Sequence, residues 1–301
     1  MTPSPQGRPR LADRRDPRPG RVWRFDAPRP ANAEPREGSP SFLSVVIPAR
    51  DEAECLPRLL AELAATLRPL RLDDESRLEG FEVILIDDGS TDETPRVLDE
   101  LAADFPELRP IRLRNNAGQS AATFAGFRAA RGSWIATLDA DLQNDPADLA
   151  TLWRARSGFD AVLGWRRERR DSWSKRLISR WANRVRNAVL GQSIRDTGCS
   201  TRIFRRELAA RLPMFDGAHR FLGPLLLREG ATVAQVPVNH RARPHGESHY
   251  DLRNRSFRVV VDLLGVAWLM RRAPRFEVFE RDGGPAAAAA RGEPAAIGEA
   301  R

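Results

Sequence analysis

Asp139, Asp141 and Gln143 occupy alternate positions in the run Leu138-Asp139-Ala140-Asp141-Leu142-Gln143. In an extended segment, alternate side chains share a face, so two carboxylates and an amide are expected to converge on one cation. Hard oxygen donors of this kind suit Mg²⁺ or Mn²⁺, ions that keep positions open for substrate phosphates. Such an ion neutralises charge building on a leaving diphosphate. The competing reading is a pair of surface carboxylates capping a helix that begins near Pro146. The position directly after an apolar run, with a second acidic motif earlier in the chain, favours the metal.

That second motif is Asp87-Asp88-Gly89-Ser90. A carboxylate at a strand end can accept hydrogen bonds from a base or ribose, and glycine lets the backbone come close. Ordinary turn chemistry is the alternative. Asp196, before a glycine in Arg195–Glu207, is either a base, an acceptor-side group or a turn-stabilising aspartate. Cys199 reads as a small buried hydrophobe. The loop His240–Tyr250 is basic and glycine-containing, as are loops that close over phosphates.

The segment Gly164–Arg186 carries nine basic residues against Glu168 and Asp171, with Trp165, Trp173 and Trp181 among them. An excess of one sign repels itself unless an anionic partner is present. Phosphates and a lipid headgroup layer fit this pattern. RNA would fit it too, but no nucleic-acid module accompanies it, and no nucleic-acid partner is expected.

Elements that could position these groups follow from the apolar pattern. Leu43–Ile47, Phe81–Ile86, Leu108–Leu113 and Ser133–Leu138 read as strands. Helical patterns follow over Cys55–Leu67, from Asp92 with Thr91 or Asp92 as cap, and over Ala117–Arg131. Short continuous apolar strands separated by helices imply a parallel sheet covered on both faces, an α/β fold. Ligands of such sheets sit at the carboxyl ends of the strands, where Pro48–Glu52, Asp87–Thr94 and Asp139–Gln143 fall. Gly118, Ala121, Ala122, Ala125 and Gly126 would let their helix lie close to the sheet.

The chain has 301 residues, is 41% hydrophobic and 30% charged, and carries a formal charge of +8. That length supports one domain with tails, and the charge points to anionic partners. Two cysteines, Cys55 and Cys199, make no disulfide framework. Residues 1–40 and 280–301 read as disordered tails by composition. Neither a signal peptide nor a spanning helix is expected. Ser256–Arg272 is apolar nearly all round, and either packs into the domain or lies in a membrane interface.

Taken in order, IPARDE, DDGSTDET, the small-residue helix, LDADLQNDP, the Trp-Arg segment, RDTGCSTRIFRRE and HRARPHGESHY resemble family 2 of the glycosyltransferases. The likeness is to the dolichol-phosphate mannosyltransferase-like branch, whose members are polyprenyl-phosphate glycosyltransferases, and it runs over about Leu43–Tyr250. It implies a GT-A, Rossmann-like fold: a mostly parallel sheet flanked by helices over 41–250. The apolar pattern adds a C-terminal helical segment over 251–279, packed on the domain or interfacial. The resemblance implies an inverting, metal-dependent transfer of sugar from a nucleotide-sugar to a polyprenyl phosphate. Pro48, Ala49, Glu52, Asp87, Asp88 and Asp139 would lie against the nucleotide-sugar, and Asp139, Asp141 and Gln143 would hold Mg²⁺ or Mn²⁺. Arg166 resembles the family's diphosphate arginine and Asp196 its acceptor-side aspartate; with Asp141 they form the implied catalytic set. Lys175, Arg176, Ser179, Arg202 and His249 would meet the acceptor phosphate.

Two departures stand out. The last loop ends Ser248-His249-Tyr250 where the family has Ser-Lys-Tyr, so a neutral histidine would weaken phosphate binding and make it pH-dependent. Many relatives carry transmembrane helices after the catalytic domain, and none is read here. A peripheral protein on the cytoplasmic face of an anionic membrane, held by Gly164–Arg186 and Ser256–Arg272, is the expectation. A soluble hydroxyl-directed transferase and a non-catalytic binding domain are the alternatives.

Overall fold

The computed structural model describes residues 41–73, 76–167, 183–242 and 252–272. Lys175, Arg176, Ser179, His249 and both tails lie outside the described residues. The strands are β1 (Ser41–Ala49), β2 (Leu78–Asp87), β3 (Leu108–Arg112), β4 (Trp134–Thr137), β5 (Ala161–Arg166), β6 (Arg202–Arg205) and β7 (Val233–Val238). The helices are α1 (Leu56–Arg71), α2 (Thr94–Asp104), α3 (Gln119–Ala129), α4 (Asp148–Arg154), α5 over 183–190, α6 (Arg206–Ala209), α7 (Leu222–Arg228) and α8 (Leu252–Arg271). A 3₁₀ turn, Ala218–Phe221, precedes α7.

One seven-stranded sheet has the order β3-β2-β1-β4-β6-β5-β7. β6 pairs antiparallel with both β4 and β5, while the other pairings are parallel. The mostly parallel sheet that was expected is what forms, with β6 as its antiparallel member. β6 reverses because its chain returns from the 183–201 excursion between two strands already in place. Its apolar core, Ile203-Phe204, suits either direction.

Burial on both faces makes the strands continuously apolar. Leu43, Val45 and Ile47 of β1 and Val83 and Leu85 of β2 face one core, shared with α1, α4 and Leu98 of α2. Val46 of β1 and Ile84 and Ile86 of β2 face the other, shared with Phe124 and Phe127 of α3, with α7, and with Val266 and Ala267 of α8. In α1, buried Leu56, Leu59, Leu60, Leu63, Leu67 and Leu70 form the apolar stripe of a helix laid on a sheet. The small residues of α3 have a steric cause: a Cβ on Gly126 would lie 2.3 Å from Val46 Cγ1 and 2.7 Å from Ile86 Cδ1.

A buried carboxylate stitches this core at the strand starts. Glu82 accepts from Ser44 Oγ at 2.7 Å, Arg109 Nη1 at 2.6 Å and Arg131 N at 2.8 Å. Burial pushes its carboxyl up, but the Ser44, Arg109 and Arg131 hydrogen bonds and the Arg109 charge outweigh this and hold it below the usual range.

Candidate active site

The carboxyl ends of β1, β2 and β4 open onto one side of the sheet. Two loops there are laced together. Asp51, at φ 53°, accepts through Oδ1 from Thr91 N at 2.7 Å and from Asp92 N at 3.3 Å. Its own N–H donates to Ser90 Oγ at 3.0 Å, and Glu52 N donates to Thr94 Oγ1 at 3.0 Å. The Thr91 amide bond is the largest influence on the Asp51 carboxyl; with Asp92, the Thr91 hydroxyl and Arg50 it outweighs burial and lowers the pKa. The helix expected from Asp92 starts at Thr94, with Asp92 Oδ1 accepting from Thr94 N at 2.9 Å.

Asp87 and Asp88 are both buried. Asp87 Oδ1 accepts from Ser90 N at 2.9 Å. Asp88 accepts from Ala117 N at 2.7 Å and Gly118 N at 2.9 Å, so both its oxygens hold the loop that leads into α3. Gly89 has φ 65°, and a Cβ there would meet Asn116 N at 2.6 Å. The glycine is required by this close approach.

Around Asp139 the geometry departs from the expectation of an extended run. The chain bends over 140–142, and Leu142 is buried with φ 60°. Period-two alternation of Asp139, Asp141 and Gln143 is thus broken. Asp141 Oδ1 accepts from Gln143 N at 3.1 Å, a local turn bond. Asp139 faces a cavity of about 190 Å³, which Pro48, Ser200 and Arg202 also line. Its Oδ1 accepts from Gln119 Nε2 at 3.0 Å and its Oδ2 from Ser200 Oγ at 2.7 Å. Ser200 is held in turn by Asn144 Nδ2 at 2.7 Å.

On the far side, Arg166 at the end of β5 grips Asp196 through two bonds, Nε at 2.7 Å and Nη2 at 3.0 Å. Gly198 N donates to Asp196 Oδ1 at 3.1 Å. This planar fork is the strong form of ion pair. Arg202 lines the cavity but donates to two main-chain carbonyls, His219 O at 3.2 Å and Thr197 O at 3.1 Å. Burial lowers its pKa, and those bonds fasten the 197–201 loop to the 3₁₀ turn. Cys199 is buried, and burial raises its thiol pKa, as suits an inert side chain.

Beside the site, Arg241 N donates to Gln143 O at 2.8 Å, and its guanidinium meets Asp145 at 2.8 Å and also Glu62. Asn239 N donates to Asp148 Oδ2 at 2.7 Å. These bonds tie the Asp139–Asp145 loop to the end of β7. Burial raises the Asp148 carboxyl to about 6, aided by Asp145 and opposed by the Asn239 amide and Arg241.

A family model described as glycosyl transferase family 2 matches residues 44–212. The chain belongs to that family. The transferase is 35% identical over 239 residues to a dodecaprenyl-phosphate galacturonate synthase of Rhizobium johnstonii, covering 77% of this chain and 68% of that protein. It is 36% identical over 213 residues to an undecaprenyl-phosphate 4-deoxy-4-formamido-L-arabinose transferase of Aeromonas hydrophila, covering 70% and 63%. The transferase thus spans about two thirds of the length of these relatives. Its fold matches glucosyl-3-phosphoglycerate synthase of Mycobacterium tuberculosis in complex with Mn²⁺, UDP and phosphoglyceric acid, at TM-score 0.57 and 18% identity over 78% of this chain and 80% of that one. It also matches a Pyrobaculum calidifontis mannosyltransferase in complex with GDP-Man and Mn²⁺, at TM-score 0.55 and 20% identity over 79% and 66%. These are GT-A glycosyltransferases, and the expected sheet architecture of the transferase is theirs.

Of the residues singled out in the sequence, Pro48, Asp139 and Arg202 line one cavity. Asp87, Asp88 and Glu52 lie in the laced loops beside it, and Arg166 pairs with Asp196. Sequence reading passed over Asp51, Gln119, Ser200, His219 and Arg220. Only Asp51 carried a signal, its place beside Glu52 after a strand; the others reach the site through tertiary contact.

Proposed function

We propose that this transferase moves a sugar from a nucleotide-sugar to the phosphate of a polyprenyl lipid, inverting the anomeric carbon, with Mg²⁺ or Mn²⁺ bound. The observation that carries the reading is the Asp139 carboxylate, aimed into a cavity that also holds guanidinium groups. Two relatives named for polyprenyl-phosphate sugar transfer support the acceptor class.

The donor set fits a hard divalent ion. Asp139 is oriented by two neutral groups, Gln119 and Ser200. Among the described residues no three His, Cys, Asp or Glu side chains cluster. An ion held by Asp139, Asp141 and Gln143 would complete its shell with diphosphate and water, as Mg²⁺ sites commonly do. When bound it supplies neutralisation of the leaving diphosphate.

The remaining work falls to the chain's own groups. The laced loops 50–53 and 88–94, with Asp87 and Pro48, form a rigid floor for the nucleoside. A phosphate monoester, with its second pKa ~6, is largely dianionic at neutral pH and attacks the anomeric carbon without a base. Asp196, held by Arg166 and the Gly198 amide, therefore acts as a positioning group, fixing the guanidinium that faces the phosphates.

A peripheral seat on the cytoplasmic face of an anionic membrane accompanies this reading. No helix among the described residues is long and apolar enough to cross a bilayer. α8 nonetheless leaves Val260, Val261, Leu264 and Trp268 between 49% and 62% exposed, with exposed Arg271 and Arg272 at its end. An apolar stripe beside arginines suits a headgroup layer.

The test is transfer from a panel of labelled nucleotide-sugars to undecaprenyl or dolichyl phosphate with Mn²⁺, alongside flotation on anionic and neutral liposomes. Labelled lipid and selective flotation on anionic vesicles are expected. Sugar transfer only to a soluble hydroxyl acceptor would overturn the reading.

A further inference from the structure

Four guanidinium groups gather behind the cavity that holds Asp139, and they are not equally engaged. Arg166 is neutralised by Asp196, and Arg202 is fastened to two carbonyls. Arg220 lines the cavity, and its one charged contact among the described residues is Asp262 of α8, 3.8 Å away and beyond hydrogen-bond reach. Arg186, on α5, lies behind Thr197, to whose hydroxyl it donates, and stacks 5.9 Å from the Phe221 ring. Arg186 has no carboxylate within ion-pair distance among the described residues, although it is half-buried. Burial lowers its pKa first; Asp196 opposes this and the like charge of Arg220 adds to it. Two cations that disfavour each other, held close with few counter-charges, leave a positive potential at the cavity wall.

The 3₁₀ turn that carries Arg220 is built to hold it there. Gly217 has φ 91°, and a Cβ on it would strike Asp262 Oδ2 at 2.6 Å. Ser120 Oγ accepts from Gly217 N at 2.9 Å and lies 2.7 Å from His219 Nδ1. With the serine hydroxyl donating to Nδ1, the imidazole is the Nε2–H tautomer. His219 also lines the cavity.

We infer that Arg220, backed by Arg186 and flanked by His219, forms a binding site for a phosphate dianion in the cavity beside Asp139. The guanidinium donors of Arg220 that no described residue takes up would engage two phosphate oxygens, the geometry in which arginine binds phosphate best. The oxyanion has two possible sources, the acceptor's phosphate monoester and the donor's diphosphate. Only the naming of these sources rests on the functional reading above; the anion site rests on the cavity itself.

The experiment uses the full chain and two variants, Arg220→Gln and Arg220→Lys. Melting temperature is followed against inorganic phosphate, with chloride at matched ionic strength as reference. Wild type is expected to gain stability from phosphate, Arg220→Gln to lose most of that gain, and Arg220→Lys to keep part of it. No gain in wild type, or equal gains in wild type and Arg220→Gln, would overturn the site. In the transfer assay, losing a charge-assisted bond to phosphate should raise one substrate's KM about tenfold to a hundredfold. A rise confined to the lipid phosphate assigns the site to the acceptor, and one confined to the nucleotide-sugar assigns it to the donor. Unchanged values for both refute it. Should wild type make no lipid-linked sugar, the functional reading falls while the phosphate titration still decides the site.

Discussion

Replacing Asp88 by alanine removes the acceptor of two main-chain N–H groups, Ala117 and Gly118, at 2.7 and 2.9 Å. Asp88 is 4% exposed, but Ala117 is exposed and Gly118 half-buried, so water can reach the freed donors. Each such part-buried hydrogen bond is worth about 0.5–1.5 kcal/mol, which puts the loss of the two at roughly 1–3 kcal/mol. At about 2–4 °C per kcal/mol for a domain near this size, the melting temperature should fall by roughly 2–12 °C. Asp88→Asn retains one acceptor and should lose about half as much. The assay pairs thermal and urea melts with calorimetric titration of nucleotide-sugar at a temperature where the variant is folded. A nearly unchanged melt with a large loss of nucleotide affinity would refute the reasoning, because Asp88 would then contact ligand and not anchor the loop.

Alanine at Asp141 should abolish transfer, read in the lipid-phosphate transfer assay with Mn²⁺; full activity would remove the metal reading. Gly126→Ala forces a methyl group to within 2.3 Å of Val46 and should cost about 1–3 kcal/mol in a urea melt, the usual range for overpacking. Asp148 gives a pH signature, since its carboxyl is raised to about 6 in the fold from an ordinary 3.8. Its stabilising contribution is complete below the lower value and disappears as pH rises through the upper one. Asp148→Asn should therefore stabilise the protein above pH ~6 and have little effect below pH ~4, read from melts across that range; a pH-independent difference would contradict it.

How much was legible beforehand follows from the range over which each cause acts. Strand–helix alternation, the acidic turn motifs and the small residues of α3 are local patterns, and they place the acidic runs at the carboxyl ends of β1, β2 and β4. The family could be recognised from the order of those motifs alone. The bend at 140–142 was not foreseen because an Asp-x-Asp run reads the same in a strand extension and in a turn, and only the buried Leu142 at positive φ separates them. Nor was the reversal of β6, since a four-residue apolar strand carries no sign of its direction.

What side chains touch belongs to tertiary structure. Asp139 is oriented by Gln119 and by Ser200, 20 and 61 residues away in the chain. Arg166 meets Asp196 across 30 residues. Arg202 and Arg220 both line the cavity, yet Arg202 is fastened to two main-chain carbonyls while Arg220 meets only Asp262, at 3.8 Å, among the described residues. Sequence determined the kind of fold and the edge of the sheet where chemistry gathers, because apolar periodicity and turn residues act over a few neighbours. Which charges are engaged and which remain available for an anion was decided by packing, because hydrogen-bond partners are chosen in space after distant segments have closed on one another.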